Sequence, residues 1–328
     1  MVETVDMDLI DQAVELDKFS VSRLISIFED QRPQAAAQRS AVLEALDRRA
    51  GDQNSQNGRP KGVILGITGT PGSGKSSLLS RITVDLLERD PELSVAVVAV
   101  DPSSQVSGGA LLGDRTRMRF VPDERRLFFR SQASDNELGG LGPSSFQVCR
   151  VLTRLFDCVF IETVGIGQSE ADIRQLAGRV YLVLQPLGGD EVQFLKAGII
   201  EVPDAFVLNK SDEPASDVSY HQLLGSMWLA RPFDEQAPPV FRTSALSGEG
   251  LTELEDDMLG ALANSATSLT ERELYFLARW VEDEWGARGL RYLRDSLGGE
   301  RAFLAGAGDY DGALAAFSAA FVASMTHG

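Results

Sequence analysis

The sequence predicts an α/β fold in which helices cover both faces of a mostly parallel β-sheet. Two observations support this: short unbroken apolar runs recur along the chain, and helical patterns fall between most of them. Because strands that are buried on both faces carry continuous apolar runs, this alternation favours a parallel sheet. The predicted strands cover residues 62–68, 95–100, 158–161, 180–184, 205–208 and 240–241.

Helical patterns also flank the predicted sheet. Residues 8–50 have apolar residues at helical spacing, and residues 51–60 are polar and unpatterned, as is typical of a linker. From about Thr270 the pattern is helical again. We therefore expect three parts: an N-terminal helical extension with its linker over 1–58, the α/β domain over 59–265 and a C-terminal helical arm over 266–328.

Composition limits the classes of partner that this chain can bind. Hydrophobic residues make up 43% and charged residues 24% of its 328 residues, an ordinary balance for a soluble protein. The net charge of −17 argues against nucleic acid or an anionic membrane as the main partner. No apolar run approaches the roughly eighteen residues of a membrane-spanning helix, and residues 1–8 lack a signal-peptide pattern, so we expect a cytoplasmic location. Cys149 and Cys158 fit no metal motif and are expected to be core residues.

The clearest motif is the phosphate-binding pattern G-x-x-x-x-G-K-[ST], which matches residues 69–76. It follows one predicted strand and leads into a predicted helix, which is the context that a P-loop requires. Lys75 is expected to reach the β- and γ-phosphates, the Ser76 hydroxyl to bind Mg²⁺, and Ser77 to contact the α-phosphate. The predicted phosphate contacts come from Gly72, Ser73, Gly74, Lys75, Ser76 and Ser77.

A second motif, N-K-x-D at residues 209–212, predicts guanine recognition. The Asp212 carboxylate can accept hydrogen bonds from guanine N1–H and the 2-amino group, whereas adenine would leave it unsatisfied. The Lys210 stem can lie along the base, and Asn209 can connect this loop to the P-loop. After a later strand, Ser244-Ala245-Leu246 is similar to the element whose backbone N–H approaches guanine O6.

A third polar segment follows the predicted strand 158–161 and predicts the catalytic switch. Glu162 stands at the strand end, where an acidic residue binds Mg²⁺ directly or through water. Gly165 can present its N–H to the γ-phosphate, which would let the loop sense hydrolysis. Ile166 stands where Ras-type enzymes carry a water-orienting Gln, so we expect slow intrinsic hydrolysis that a partner stimulates, with Gln168 as an alternative water-orienting group. The predicted catalytic residues are therefore Lys75, Glu162 and Gly165.

These motifs together resemble those of the MeaB/ArgK/MMAA family of GTPases, and the E-T-V-G-x-G-Q-S-E string is particularly specific. Further matching segments are V-D-P-S-S at 100–104, L-G-D-R-T-R-M at 112–118 and G-D-E-V-Q-F-L-K-A-G at 189–198. The chain departs from the family pattern at Arg115, at the strand end 184–187 and through the C-terminal sixty residues.

The resemblance implies a SIMIBI-like P-loop NTPase G domain with N- and C-terminal helical extensions. It implies a Mg²⁺ site formed by Ser76, Asp101, Asp114 and Glu162. Without the resemblance, loop capping or solvation would be the favoured interpretation of Asp101 and Asp114. Residues 188–196 match the family's third switch loop. The implied switch and coupling residues are Gln168, Asp190, Gln193 and Lys196. For residues 188–196, a helix N-terminus packed on the sheet is an equally good interpretation.

The resemblance further implies a homodimer, with the C-terminal arm contributing to its interface. It implies a GTP-hydrolysing chaperone of an adenosylcobalamin-dependent acyl-CoA mutase of the methylmalonyl-CoA mutase type, gating cofactor delivery or protection. Mg²⁺ and GTP or GDP would bind this chain, and adenosylcobalamin would belong to the partner. A nickel-maturation GTPase and a small-molecule kinase remain alternatives. A nickel-maturation GTPase needs Cys/His relay residues, but the chain has only two His and two Cys that form no pair motif. A small-molecule kinase needs a second pocket for its phosphate acceptor.

Overall fold

A computed structural model of the chain describes residues 6–32, 35–52, 62–101, 123–133, 141–163, 170–186, 203–230, 237–264 and 269–326. Its strands are β1 (Val63–Gly69), β2 (Val95–Asp101), β3 (Leu127–Ala133), β4 (Cys158–Thr163), β5 (Arg179–Leu184), β6 (Ala205–Leu208) and β7 (Val240–Arg242). Its helices are α1 (Met7–Val14), α2 (Lys18–Glu29), α3 (Ala35–Asp52), α4 (Lys75–Arg89), α5 (Pro143–Leu155), α6 (Glu170–Leu176), α7 (Ser216–Ala230), α8 (Leu251–Asn264), α9 (Leu269–Ser296), α10 (Glu300–Ala307) and α11 (Tyr310–Thr326).

The chain forms two compact units that alternate along the sequence. One unit contains Met1–Gly58, Gly142–Leu155 and Thr267–Gly328, and the other contains Arg59–Leu141 and Phe156–Ala266. Helix α5 thus belongs to the helical unit although it lies between two strands in the chain. The predicted three-part division at residues 58/59 and 265/266 stays a prediction.

The second unit contains a seven-stranded sheet in the order β3-β2-β4-β1-β5-β6-β7, with every neighbouring pair parallel. This confirms the predicted α/β class. Strand β3 was not predicted from the sequence. It lies at the sheet edge, is only partly buried and carries Arg130 and Gln132, so it lacks the unbroken apolar run of the inner strands.

Helices cover both faces of this sheet. On one face, α4 and α8 contribute Leu79, Leu86, Leu254 and Met258 to a core that also contains strand residues such as Val183. The opposite face of β5 and β6 packs against α7 through a smaller cluster of Leu182, Leu184, Phe206, Leu208, Leu223 and Met227. Each fully buried aliphatic side chain contributes roughly 1.5–3 kcal/mol, so the two clusters fix the sheet between the helix layers.

The helical unit is organised around Asp311, which is fully buried. Its carboxylate accepts hydrogen bonds from Arg39 Nε at 2.5 Å, Arg150 Nη1 at 2.5 Å and Gln147 Nε2 at 3.0 Å. These partners come from α3 and α5, whereas Asp311 is on α11. The ring of Phe146 also stacks on the ring of Phe276 in α9, with the ring centroids 4.6 Å apart. The unit is therefore connected through a buried charged centre and an aromatic core.

Both cysteines are buried and unpaired, as expected of core residues. Burial raises the pKa of the Cys149 thiol to about 12 and shifts the pKa of Cys158 in the same direction. A thiol with such a pKa stays protonated near neutral pH and is a poor nucleophile.

Within the described ranges, no helix has the length and apolar character needed to cross a bilayer.

We expect Asp311→Ala to lower the free energy of unfolding by about 3–5 kcal/mol, because two buried guanidinium groups would lose their carboxylate. Chemical denaturation measures this change. The control is Glu271→Ala, which removes the exposed partner of Arg301 and should change the free energy of unfolding by less than about 1 kcal/mol. Equal losses in the two variants would contradict the role given to Asp311.

Candidate nucleotide-binding site

The P-loop connects the end of β1 to the start of α4 through a tight glycine-rich turn. Gly72 and Gly74 have φ angles of 82° and 83°, in the left-handed region that favours glycine. The turn is closed by Ser73, whose Oγ donates a hydrogen bond to the Thr70 carbonyl at 2.8 Å. Gly74 caps α4 without a side chain, so the first backbone N–H groups of this helix have no side-chain acceptor at the cap position. This is the backbone arrangement that binds phosphate.

Lys75 lies against the backbone of this turn. Its side chain is buried, and Nζ donates hydrogen bonds to the carbonyls of Gly69 at 2.9 Å and Thr70 at 3.0 Å. The exposed Ser77 follows on the first turn of α4. The ammonium group is thus held at the P-loop, where it can supply positive charge to an anion bound by the loop.

Ser76 and Glu162 bring two oxygen side chains together beside the P-loop. Ser76 Oγ donates a hydrogen bond to Glu162 Oε1 at 2.7 Å, and Glu162 is only 1% exposed. The two meet because β4 pairs with β1, with Ile67 opposite Glu162. A hydroxyl and a carboxylate are hard oxygen ligands of the kind that Mg²⁺ prefers, so these residues fit that ion.

The rest of the predicted metal and switch set is only partly described. Asp101 ends β2, which is the other neighbour of β4, and only its backbone is described. Within the described residues, no group of three or more His, Cys, Asp or Glu could hold a metal ion. The predicted residues Asp114, Gly165, Gln168, Asp190, Gln193 and Lys196 lie outside the described residues.

Asn209 connects three loops at the site. It is 1% exposed, and its Nδ2 donates a hydrogen bond to the Ser73 carbonyl at 2.8 Å. Its Oδ1 accepts hydrogen bonds from the Ala245 N–H at 3.1 Å and the Thr243 hydroxyl at 3.5 Å. A Cβ on Gly74 would lie 2.7 Å from Asn209 Nδ2, so this contact also requires glycine at that position.

The other residues predicted to contact the base, in the base loop (residues 209–212) and at 244–246, differ in exposure. Asp212 is exposed, and Leu246 is 87% exposed, whereas Ser244 is buried and its Oγ accepts a hydrogen bond from the Ser247 N–H. Lys210 has a φ angle of 61°, unusual for a residue with a side chain, and its Nζ donates a hydrogen bond to Gln185 Oε1 at 2.7 Å. An exposed carboxylate beside a constrained lysine can bind a planar donor such as guanine.

The structure thus brings the P-loop, Glu162 and the base loop to one edge of the sheet. Gln185 had no predicted role, although residues 184–187 depart from the family pattern. The signal that could have identified Gln185 is its place at the end of a strand, where polar side chains of parallel sheets meet ligands.

Comparison with known proteins places this arrangement in a family. Residues 21–275 match the family model described as methylmalonyl Co-A mutase-associated GTPase MeaB. The chain belongs to this family of GTPases. GTPase ArgK of Escherichia coli (strain K12) is 32% identical over 259 residues, which cover 77% of this chain and 74% of ArgK.

Of two further similarities, one covers less of the chain and the other has a lower sequence identity. The mitochondrial methylmalonic aciduria type A homolog of Mus musculus is 38% identical over 206 residues, which cover 61% of this chain and 49% of the mouse protein. The crystal structure of LAO/AO transport system kinase is 24% identical, with a TM-score of 0.62, and covers 90% of this chain and 87% of that one. At that identity the structural similarity establishes the fold alone.

We expect Asn209→Asp to lower the free energy of unfolding by about 3 kcal/mol, because it replaces the donor to the Ser73 carbonyl with a buried carboxylate oxygen. Chemical denaturation of the nucleotide-free protein measures the loss. The matched control is Asn264→Asp, because the Asn264 amide bonds the Gly260 carbonyl on an exposed helix surface. We expect that variant to differ from wild type by about 0.5 kcal/mol or less. Similar losses for both variants would show that Asn209 does not connect the loops.

Proposed function

We propose that this MeaB-family GTPase is a Mg²⁺-dependent chaperone of an adenosylcobalamin-dependent acyl-CoA mutase, of the methylmalonyl-CoA mutase type. In this role GTP binding and hydrolysis gate the delivery of the cofactor or protect the loaded mutase. The observation that carries the proposal is the match of residues 21–275 to a family described as mutase-associated, because this match spans the P-loop and the base loop together. The adenosylcobalamin belongs to the partner.

The contacts at the sheet edge support GTP as the nucleotide. The backbone N–H groups of 72–74 and the start of α4 face the phosphates, and Lys75 supplies charge to the β- and γ-phosphates. Asp212 is exposed and accepts hydrogen bonds from guanine N1–H and the 2-amino group. Adenine has no donor at N1, so it leaves this carboxylate unsatisfied and binds more weakly.

Mg²⁺ fits beside Ser76 and Glu162, with Asp101 and Asp114 as the further ligands or holders of its water. When bound, the ion neutralises the charge that develops on the β- and γ-phosphate oxygens. Glu162 also orients the Ser76 hydroxyl, through the 2.7 Å hydrogen bond between them. In this proposal the Gly165 N–H donates a hydrogen bond to the γ-phosphate. Hydrolysis removes that acceptor, and the loss of the contact changes the conformation of the switch.

Hydrolysis by the isolated chain is slow in this proposal, because Ile166 has no polar group to orient water. The mutase completes the site, either by supplying a group of its own or by placing Gln168 correctly. Asp190, Gln193 and Lys196 report the nucleotide state to the mutase. The chain acts as a homodimer that includes the C-terminal arm.

We expect a GTP turnover on the order of 10⁻⁴–10⁻² per second for the chain alone, as in GTPases with an incomplete site. One cobalamin-dependent acyl-CoA mutase from the same organism should raise it by at least about tenfold, and ATP should not be turned over. Phosphate release measured with each mutase in turn gives the result. Fast turnover without a partner, or no response to any mutase, would contradict the proposal.

We expect Ser76→Ala to raise the Mg²⁺ concentration that gives half-maximal turnover by about tenfold or more, because it removes one oxygen ligand. Titration of Mg²⁺ into metal-free protein with saturating GTP measures this. The control is Ser226→Ala on α7, where the hydroxyl donates a hydrogen bond to the Gln222 carbonyl of the same helix. An unchanged Mg²⁺ requirement in the Ser76 variant would remove Ser76 from the metal site.

A further inference from the structure

In the sheet, β5 lies between β1, which leads into the P-loop, and β6, which leads into the base loop. Strand β5 pairs with β1 on one side, with Gly69 opposite Val183, and with β6 on the other, with Leu184 opposite Leu208. The Asn209 N–H donates a hydrogen bond to the Leu184 carbonyl at 2.9 Å, which fixes this register at the carboxyl end of the strands. The next residue after β5 is Gln185.

The Gln185 amide lies between these two loops. Its Oε1 accepts the 2.7 Å hydrogen bond from Lys210 Nζ. A Cβ built on Gly72 would lie 3.7 Å from Gln185 Nε2 and 3.8 Å from Oε1, so the amide lies beside the P-loop backbone. Gln185 and Lys210 are both half-buried. One side chain therefore contacts the base loop while lying against the phosphate loop.

The hydrogen bond to Gln185 restricts the side chain of Lys210, whose backbone is already constrained. Its backbone is in the left-handed region, at a φ angle of 61°, and a residue with a side chain persists there only when its surroundings hold it. Its long side chain has many rotamers, and a hydrogen bond from its ammonium group to a fixed acceptor selects among them. Gln185 supplies that acceptor.

We propose that Gln185 is a positioning residue for guanine-nucleotide binding, which holds Lys210 so that its aliphatic stem lies along the face of the base. This inference rests on the proposed binding of guanine nucleotides. Because the contact acts on the face of the base, its loss affects GTP and GDP equally. It also affects inosine diphosphate, which lacks the 2-amino group, by the same factor.

The test is a double-mutant cycle on the full chain, with the dissociation constant of GDP as the readout. Gln185→Met keeps the length of the side chain but removes the acceptor, and should weaken GDP, GTP and inosine diphosphate by about tenfold each. In a Lys210→Met background, the same change should alter the GDP affinity by less than about twofold, because the ammonium group is already gone. Gln222→Met, an exposed position on α7, is the matched control and should leave the affinity unchanged.

Thermal melting of the nucleotide-free variants separates positioning from folding. We expect Gln185→Met and Gln222→Met to melt within about 2 °C of wild type, as is usual for substitutions outside the core. An unchanged GDP affinity in Gln185→Met would overturn the inference. An equally large loss of GDP affinity in the Lys210→Met background would also overturn it. So would a loss of affinity in Gln185→Met that is accompanied by a melting temperature more than about 2 °C below that of wild type. A wild-type chain that binds no guanine nucleotide would instead overturn the proposed function first, and this inference with it.

Discussion

The parallel pairing of β1 with β4 on one side and β5 on the other is the constraint on which the candidate site depends. Because the strands run in one direction, their carboxyl ends meet at one edge, and the loops that follow them are neighbours. The P-loop follows β1, Glu162 is near the end of β4, and Gln185 follows β5. Residues that are far apart in the chain therefore contact one another at this edge without any long connection.

The same pairing places polar groups where water is largely excluded. Lys75, Glu162 and Asn209 are each less than a tenth exposed. Lys75 bonds the backbone of its own P-loop, Glu162 accepts a hydrogen bond from Ser76 on α4, and Asn209 donates one to the P-loop. An unsatisfied buried polar group costs roughly 1–3 kcal/mol, so each of these contacts opposes movement of the loop that it connects.

Charge has a different role in the helical unit. The Asp311 carboxylate accepts hydrogen bonds from Arg39, Gln147 and Arg150, so one buried anion joins three segments of the chain. Removing one of these groups would leave its partners buried without their counter-charge, so the centre is costly to break. The base loop, by contrast, keeps the Asp212 carboxylate exposed.

The sequence by itself determined the local chemistry of this protein. The P-loop and the N-K-x-D loop are short contiguous motifs, and the inner strands are unbroken apolar runs, so their identity depends on neighbours in the chain. The α/β class and the family follow from them. The edge strand β3 was missed because partial exposure allows polar residues, and α5 could not be assigned to the helical unit from its periodicity alone.

Only the tertiary structure decided which distant residues meet. Gln185 and Lys210 are 25 positions apart, Ser76 and Glu162 are 86 apart, and Arg39 and Asp311 are 272 apart. Periodicity identifies the buried face of an element but gives neither the order of strands in a sheet nor the helices that share a core. Those are set by hydrogen-bond pairing and packing between segments, which is why the motifs could be read from the chain and the contacts of Gln185 could not.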